Sequence, residues 1–315
     1  WGIKYTSLVH YNANTNAVLM RNAGEAVGLG AVVTSKEWDS TINFHNLDRI
    51  EKYIYDIQVP EWNKIFADQP ALQAKPELAA RGEQIYKAMC MNCHTTDDRV
   101  GPTKKLFQEK LFSQAKIGTD PKQATNLDGL GDALNQNLRT LTLGTRGRYY
   151  EKHQIPEETR IEWELRDLRG SEFFRWTHIG ESVQQDLYKN NYGNVQPGLL
   201  YRGRHLSGIW AAAPFLHNGS VPTLRDLLNP SSQRPRYFAN TISYEYDPVN
   251  MGIFGGRSTT KPCKDNDKFC FDTTLPGNDN HGHEGPEFGT DLPDADKLAL
   301  MEYLKVLPPV PEYGW

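Results

Sequence analysis

The sequence predicts a mainly α protein with long irregular loops and little β structure, and three observations predict it. Apolar residues recur at helical spacing in several separated stretches, the sharpest being "LPDADKLALMEYLKVLPP" near the C-terminus. The stretch from 229 to 291 is rich in Pro, Gly, Asn and Asp and reads as loop. The 19 prolines and 26 glycines, with a mean hydropathy of -0.64, place much of the chain in turns and loops.

The first 35 residues run into "AGEAVGLGAVV", whose small residues suit close backbone packing better than an isolated helix, so this part reads as an entry segment lying against something else. In "HNLDRIEKYIYD", Leu47, Ile50 and Ile54, followed by Ile57, stand at helical spacing, and "VPEW" stops the helix. In "KPELAARGEQIYKAMCMNCH", Pro76 suits the first helical position and Leu78, Ala79, Ile85 and Met89 follow at three- and four-residue steps. Short helices are expected around 121 to 140 and a charged helix over 157 to 175. The run "YRGRHLSGIWAAAPFLHNGSVPTLRDLLNP" is cut by Pro214, turns at Asn218-Gly219, and restarts as a short helix after Pro222. Residues 229 to 291 read as one long ordered loop. In the last helix Leu298, Met301, Leu304, Leu300 and Leu307 share a face, acids occupy the first turn, and Pro308-Pro309 ends it. These readings divide the chain into an entry segment with a short helix over 1–75, packing on a larger domain over 76–315.

The chain has 315 residues, enough for one large domain or two modest ones. A formal net charge of -4, with basic residues scattered rather than clustered, argues against nucleic acid as a ligand. No window reaches the roughly 18 uncharged apolar residues of a membrane-spanning helix, and the N-terminal residues lack the layout of a signal peptide. Either a leader has been cleaved after export, or this is one piece of a longer chain.

Only four cysteines occur, and two of them fall in Cys90-Met91-Asn92-Cys93-His94. C-x-x-C-H is the attachment pattern of c-type haem. Two thiols one helical turn apart can add to the two porphyrin vinyl groups, and the adjacent histidine then lies beneath the iron. A zinc site would need two further ligands at matching spacing. A thioredoxin-like dithiol would open a helix, whereas this motif closes one. The reading is therefore one covalent haem c on Cys90, Cys93 and His94, and a cytochrome c-like helical haem domain around it. Cys263 and Cys270 bracket "CKDNDKFC", a loop that a disulfide would close in an oxidising compartment; free thiols are the other reading. Haem attachment and a staple together point to a periplasmic or extracellular protein.

The sixth position of the iron calls for a thioether or an imidazole. Met251, His217, His281 and His283 compete for it, while Met89 and Met91 flank the motif and Met301 sits in the last helix's apolar stripe. Trp210, Phe215 and Leu216 are placed to wall the ring and exclude water.

Several stretches taken together resemble one family: "NTNAVLMRNAGEAVGLGA", "ELAARGEQIYKAMCMNCH", "IGTDP", "GIWAAAPFLHNGSVPTLRDLL" and "GHEGPEFGTDLPDADKLALMEYLK". They resemble the C-terminal haem region of dihaem c-type cytochromes related to the rubber oxygenases and, more distantly, bacterial dihaem cytochrome c peroxidases. The resemblance implies His283 as distal ligand, in a block here lengthened by two residues, with His281 as a substitute. It also implies a tryptophan near the gap between two haems, a place Trp1 could take. Such relatives have two haem motifs and this chain has one, so the resemblance implies either a preceding haem domain or a single-haem relative. With His94 and His283 both on the iron, the expected task is electron transfer to a redox partner or second haem domain. The alternative is a dihaem peroxidase or oxygenase whose catalytic haem lies upstream, or whose single haem has an open distal face near Glu284 and Glu287.

Overall fold

The computed structural model describes residues 18–34, 37–94, 110–128, 144–163, 199–239, 245–254 and 270–309. Its fold is mainly α with a few very short strands. Among the described residues no helix is long and apolar enough to cross a membrane.

Helix α1 (Val18–Gly28) covers most of the small-residue segment read as non-helical. Tertiary packing overrides the weak propensity: Ala23 is buried, and Arg21 and Asn22 both donate to Glu51 on α2 (Phe44–Asp56), at 3.2 and 2.9 Å. Helix α2 is capped by the Asn43 side chain, which accepts from the Asn46 N–H. Its inward face differs from the apolar spacing. Phe44, Asp48 and Glu51 are buried, while Ile50 and Ile57 are about half exposed. The pairing of Glu51 with α1 decides which way the helix turns.

After the one-turn helix α3 (Trp62–Ile65), helix α4 (Pro76–Ile85) begins with Pro76 at its first position, as its spacing predicts. It runs into a π-helical turn, Tyr86–Cys90, and then α5 (Met91–His94), so the cysteine motif stands at the end of the described helical stretch. The Tyr86 hydroxyl donates to the His94 carbonyl at 3.1 Å and ties off this end. Strand β1 (Lys110–Ser113) pairs antiparallel with β2 (Leu200–Gly203), Lys110 opposite Gly203. It leads directly into α6 (Gln114–Ile117), which ends at Gly118 in the left-handed conformation (φ 74°). Helix α7 (Lys122–Asp128) lies within the first of the two expected helical regions. Residues 144–152 and 157–163 form α8 and α9.

Pro214 follows a cis peptide bond and Gly219 has φ +70°. Helix α10 (Leu224–Leu227) starts after Pro222, capped by the Thr223 hydroxyl. The region 229–291 is more structured than a single loop. It holds β3 (Tyr237–Ala239) paired with β6 (Cys270–Asp272), and β4 (Glu245–Asp247) paired with β5 (Gly252–Phe254). Strands of three residues carry too little alternation to be seen in sequence. Cys270 is disulfide-bonded; Cys263, its expected partner, lies outside the described residues, as does Trp1.

The last helix, α11 (Asp294–Val306), has Asp294 and Asp296 in its first turn and Lys305 in its last, both favourable to the helix dipole. It buries Ala299, Leu300, Met301 and Leu304 but leaves Leu298 about half exposed, a correction to the predicted face. It crosses α4 so closely that Gly82 touches the Ala299 backbone. Among the described residues two apolar cores result. The larger gathers Trp62, Trp210, Phe215, Leu224, Leu300 and Leu304 with their neighbours, and the smaller joins Phe44 and Ile42 to Tyr149, Tyr150 and Trp163. Side chains are partitioned by space rather than by order in the chain: Trp62 belongs to the larger core, and α8 and α9 pack with α1 and α2.

Candidate haem site

One cavity collects the cysteine motif and the distal loop. Cys90, Cys93, His94, Phe215, Leu216, His217 and His283 all line it, among largely apolar walls contributed by α10, α11 and residues 206–216. Both cysteines are free thiols. Burial pushes Cys90 up to about 11 and also raises Cys93, so the thiols stay protonated until something reacts with them. Gly203 on β2 sits where a side chain would collide with the Cys93 carbonyl oxygen, which lets the strand close over the motif.

His94 is oriented from behind. Its Nδ1–H donates to the Arg204 carbonyl at 2.6 Å, which leaves Nε2 with its lone pair. Donation from the far ring nitrogen to a backbone carbonyl is the usual way a ligating histidine is held and made more basic. Burial lowers its pKa, with the Arg204 contact opposing.

His283 reaches the cavity from the other side. Its backbone is left-handed (φ 51°), and its N–H donates to the Ile117 carbonyl at 2.8 Å. Burial, then the charges of His94 and Arg234, push its pKa down to about 3, so the ring is neutral at ordinary pH. Its Nδ1 is buried without a hydrogen-bond partner. The His94 and His283 ring centres are 6.3 Å apart. Two imidazole–metal bonds of about 2.0–2.1 Å, plus roughly 1.1 Å from nitrogen to ring centre on each side, span about 6.3 Å. With two thiols at the edge of an apolar cavity, the residues present fit a haem held between two imidazoles.

The other candidates fall elsewhere. His281 is exposed and paired with Asp279. Met251 is 1% exposed in the larger core and lies off the cavity. Met301 is core, and Met89 touches the cavity beside the motif. Trp210 stands behind the wall, edge-on to Trp62 at 5.0 Å, with its carbonyl accepting from the Tyr246 hydroxyl. His217 does line the cavity, but both its nitrogens are engaged. Tyr201 donates its hydroxyl to the Asp120 carbonyl, so its oxygen accepts from His217 Nε2–H at 3.3 Å, and Nδ1 accepts from Thr119 at 3.3 Å. Burial holds His217 down to about 4. Glu284 is anchored by the N–H and hydroxyl of Ser231, and Glu287 sits at the rim, 3.7 Å from Lys116.

The carbonyl of Arg204, the Tyr201 and Thr119 pair and the buried Arg234 carried no sequence signal that would have picked them out. Each acts through a backbone atom or a long-range contact.

Two family models match segments that contribute to the cavity. The RoxA-like, cytochrome c-like family model matches residues 200–239, which include β2, the cavity wall and α10. The model for the cbb3-type cytochrome c oxidase subunit III matches residues 77–134, around the cysteine motif. Two uncharacterized proteins of Sinorhizobium fredii (strain NBRC 101917 / NGR234) are similar in sequence. The protein y4iJ is 30% identical over 98% of this chain and 54% of its own length. The protein y4iM is 26% identical over 72% of this chain and 48% of its own length. The chain thus spans about half the length of these relatives.

Proposed function

For a chain that carries a c-type cytochrome haem region related to the RoxA-like cytochromes, we propose electron transfer through one covalent haem c, attached at Cys90 and Cys93 and ligated by His94 and His283. The observation that carries this reading is the 6.3 Å between two neutral, partly buried imidazoles that line one apolar cavity. When bound, the haem supplies a one-electron ferric/ferrous couple whose potential bis-histidine ligation sets lower than histidine–methionine ligation would.

The chain's own residues do the rest. Cys90 and Cys93 hold the ring edge, and Arg204 fixes the His94 tautomer. His283 fills the position that an oxygen or peroxide ligand would need. Phe215, Leu216 and the leucines of α10 and α11 keep water away from the ring. Tyr201 and Thr119 engage both nitrogens of His217 and burial keeps it neutral, so it lines the wall and would not compete for the metal. The entry segment over 1–75 then packs on the haem domain over 76–315. The partner in electron transfer is a redox protein or a second haem domain of a longer chain. Haem attachment through thiols and a Cys263–Cys270 staple suit a periplasmic or extracellular location.

Absorption spectra of the oxidised and reduced haem-loaded protein test this. Low-spin spectra unchanged by cyanide or peroxide are expected, with a mass above that of the bare polypeptide. A high-spin spectrum, or rapid binding of either ligand, would overturn the relay reading and favour a peroxidase or oxygenase.

A further inference from the structure

Arg234 belongs to no haem motif, yet it is 2% exposed and directs every N–H of its guanidinium at a backbone carbonyl. Nε donates to Asn229 at 2.9 Å, one terminal nitrogen donates to Asn280 and to Gly282 at 2.9 Å, and the other donates to Leu227 and His283, both at 3.3 Å. Two of these carbonyls lie at the C-terminal end of α10, whose Leu224 and Leu227 line the cavity. The other three lie in the loop that presents His283. A planar fork with five fixed donors can join two backbone segments in this way, and an ammonium with three mobile donors cannot.

We infer that Arg234 is the positioning residue for His283: its guanidinium clamps the 280–283 loop to the wall of the haem cavity, and its buried positive charge favours the reduced iron. The inference rests on the reading of His283 as the distal ligand. Several features make the clamp necessary. His283 and Gly282 both have positive φ, so the loop backbone lies outside the common conformations. The His283 Nδ1 has no partner of its own, so unlike His94 the ring is not oriented from behind. Beyond the Phe288 ring packed 4.8 Å from it, the ring takes its position from the backbone. Arg234 supplies three of the bonds that hold this backbone, beside the His283 N–H bond to Ile117, the Asn280 side-chain bond to the Pro235 carbonyl and the Ser231 bonds to Glu284. Although burial lowers its pKa to about 10, with the Glu284 and Asp226 carboxylates opposing, the guanidinium stays charged at neutral pH, and it lies 3.3 Å from the His283 carbonyl.

The test compares Arg234→Lys, Arg234→Met and His283→Ala with the wild type, all as haem-loaded protein. The readouts are the rate of cyanide binding to the ferric form and the midpoint potential. Both arginine variants should bind cyanide at least about tenfold faster than wild type, because the loop loses charge-assisted bonds. Lysine keeps the charge, so the potential of Arg234→Lys should stay near the wild-type value. Arg234→Met should fall by about 59 mV, the one-electron equivalent of a tenfold change in the equilibrium. If Arg234→Met does not accumulate, faster cyanide binding by Arg234→Lys decides the clamp. Wild-type rates and potentials in the arginine variants, beside fast cyanide binding by His283→Ala, would overturn the inference. A His283→Ala spectrum identical to wild type would instead sink the ligand assignment beneath it.

Discussion

Replacing Gly282 by alanine should damage the site more than any other single methyl group added to the distal loop. Gly282 has φ +84° and lies against the backbone of Gly118 and Thr119. An added Cβ would stand 2.5 Å from the Gly118 carbonyl carbon and 2.6 Å from the Thr119 Cα, and nearer still to the Thr119 amide nitrogen. These are backbone atoms at the end of α6, so no side-chain rotation relieves the overlap. The left-handed conformation alone costs a non-glycine residue about 1–2 kcal/mol. Separating the two segments also breaks the His283 N–H bond to Ile117, worth about 0.5–1.5 kcal/mol, and overpacking adds about 1–3 kcal/mol. A loss of about 3–6 kcal/mol is expected in total. The assay is urea unfolding of the haem-loaded protein, followed together with its Soret band. Gly277→Ala separates the contributions, since Gly277 has φ +92° but an added Cβ would meet only the Lys122 side chain at 3.7 Å. It should lose only the conformational part and keep the wild-type spectrum. Equal losses in the two variants, or an unshifted Soret band in Gly282→Ala, would refute the idea that this close approach sets the position of His283.

Other perturbations reach the remaining parts of the fold. His217 is held near 4 in the folded protein against an ordinary value of 6.5, so below pH 6.5 the unfolded chain takes a proton that the folded chain refuses. The stability that this group contributes is complete above pH 6.5 and is lost as pH falls toward 4, up to roughly 3 kcal/mol. His217→Gln should flatten that part of the curve of unfolding midpoint against pH. In the smaller core, Glu51→Leu removes the close charged partner of Arg21 and leaves it Glu25 at 3.9 Å and the Asn22 amide, so the cost should fall at or below the lower end of the about 3–5 kcal/mol of a fully broken buried pair. Thermal unfolding should show a drop of several degrees or more, with the haem spectrum unchanged, because the two cores are separate.

The proximal half of the site was legible because its chemistry is local. Cys90, Cys93 and His94 lie within one helical turn, and the helix that carries them announces itself through Pro76 and its apolar spacing. The last helix was legible for the same reason, although Leu298 shows that an apolar residue at the edge of a stripe can face water. Periodicity alone misled where polar pairing set the orientation. On α2 the isoleucines mark a helix, yet Glu51 turns the inward face toward Arg21 and Asn22. The short strands between 237 and 272 were lost in a segment dense with glycine, proline and asparagine, since three-residue pairings are fixed by their neighbours rather than by their own pattern.

The distal half could be found only by resemblance, and its structure explains why. His281 and His283 are two residues apart in similar sequence, yet one is in solvent with Asp279 and the other is in the cavity. What separates them is the path of the backbone: a positive φ at Gly282, another at His283, a hydrogen bond to Ile117 and three from Arg234. None of these leaves a mark near the histidines in the sequence. The proposed proximal ligand is therefore marked by a motif, and the proposed distal ligand by a conformation that three remote segments impose. On that proposal, substitutions in α6, α10 or at Arg234 should alter the position of His283 without touching the histidine itself.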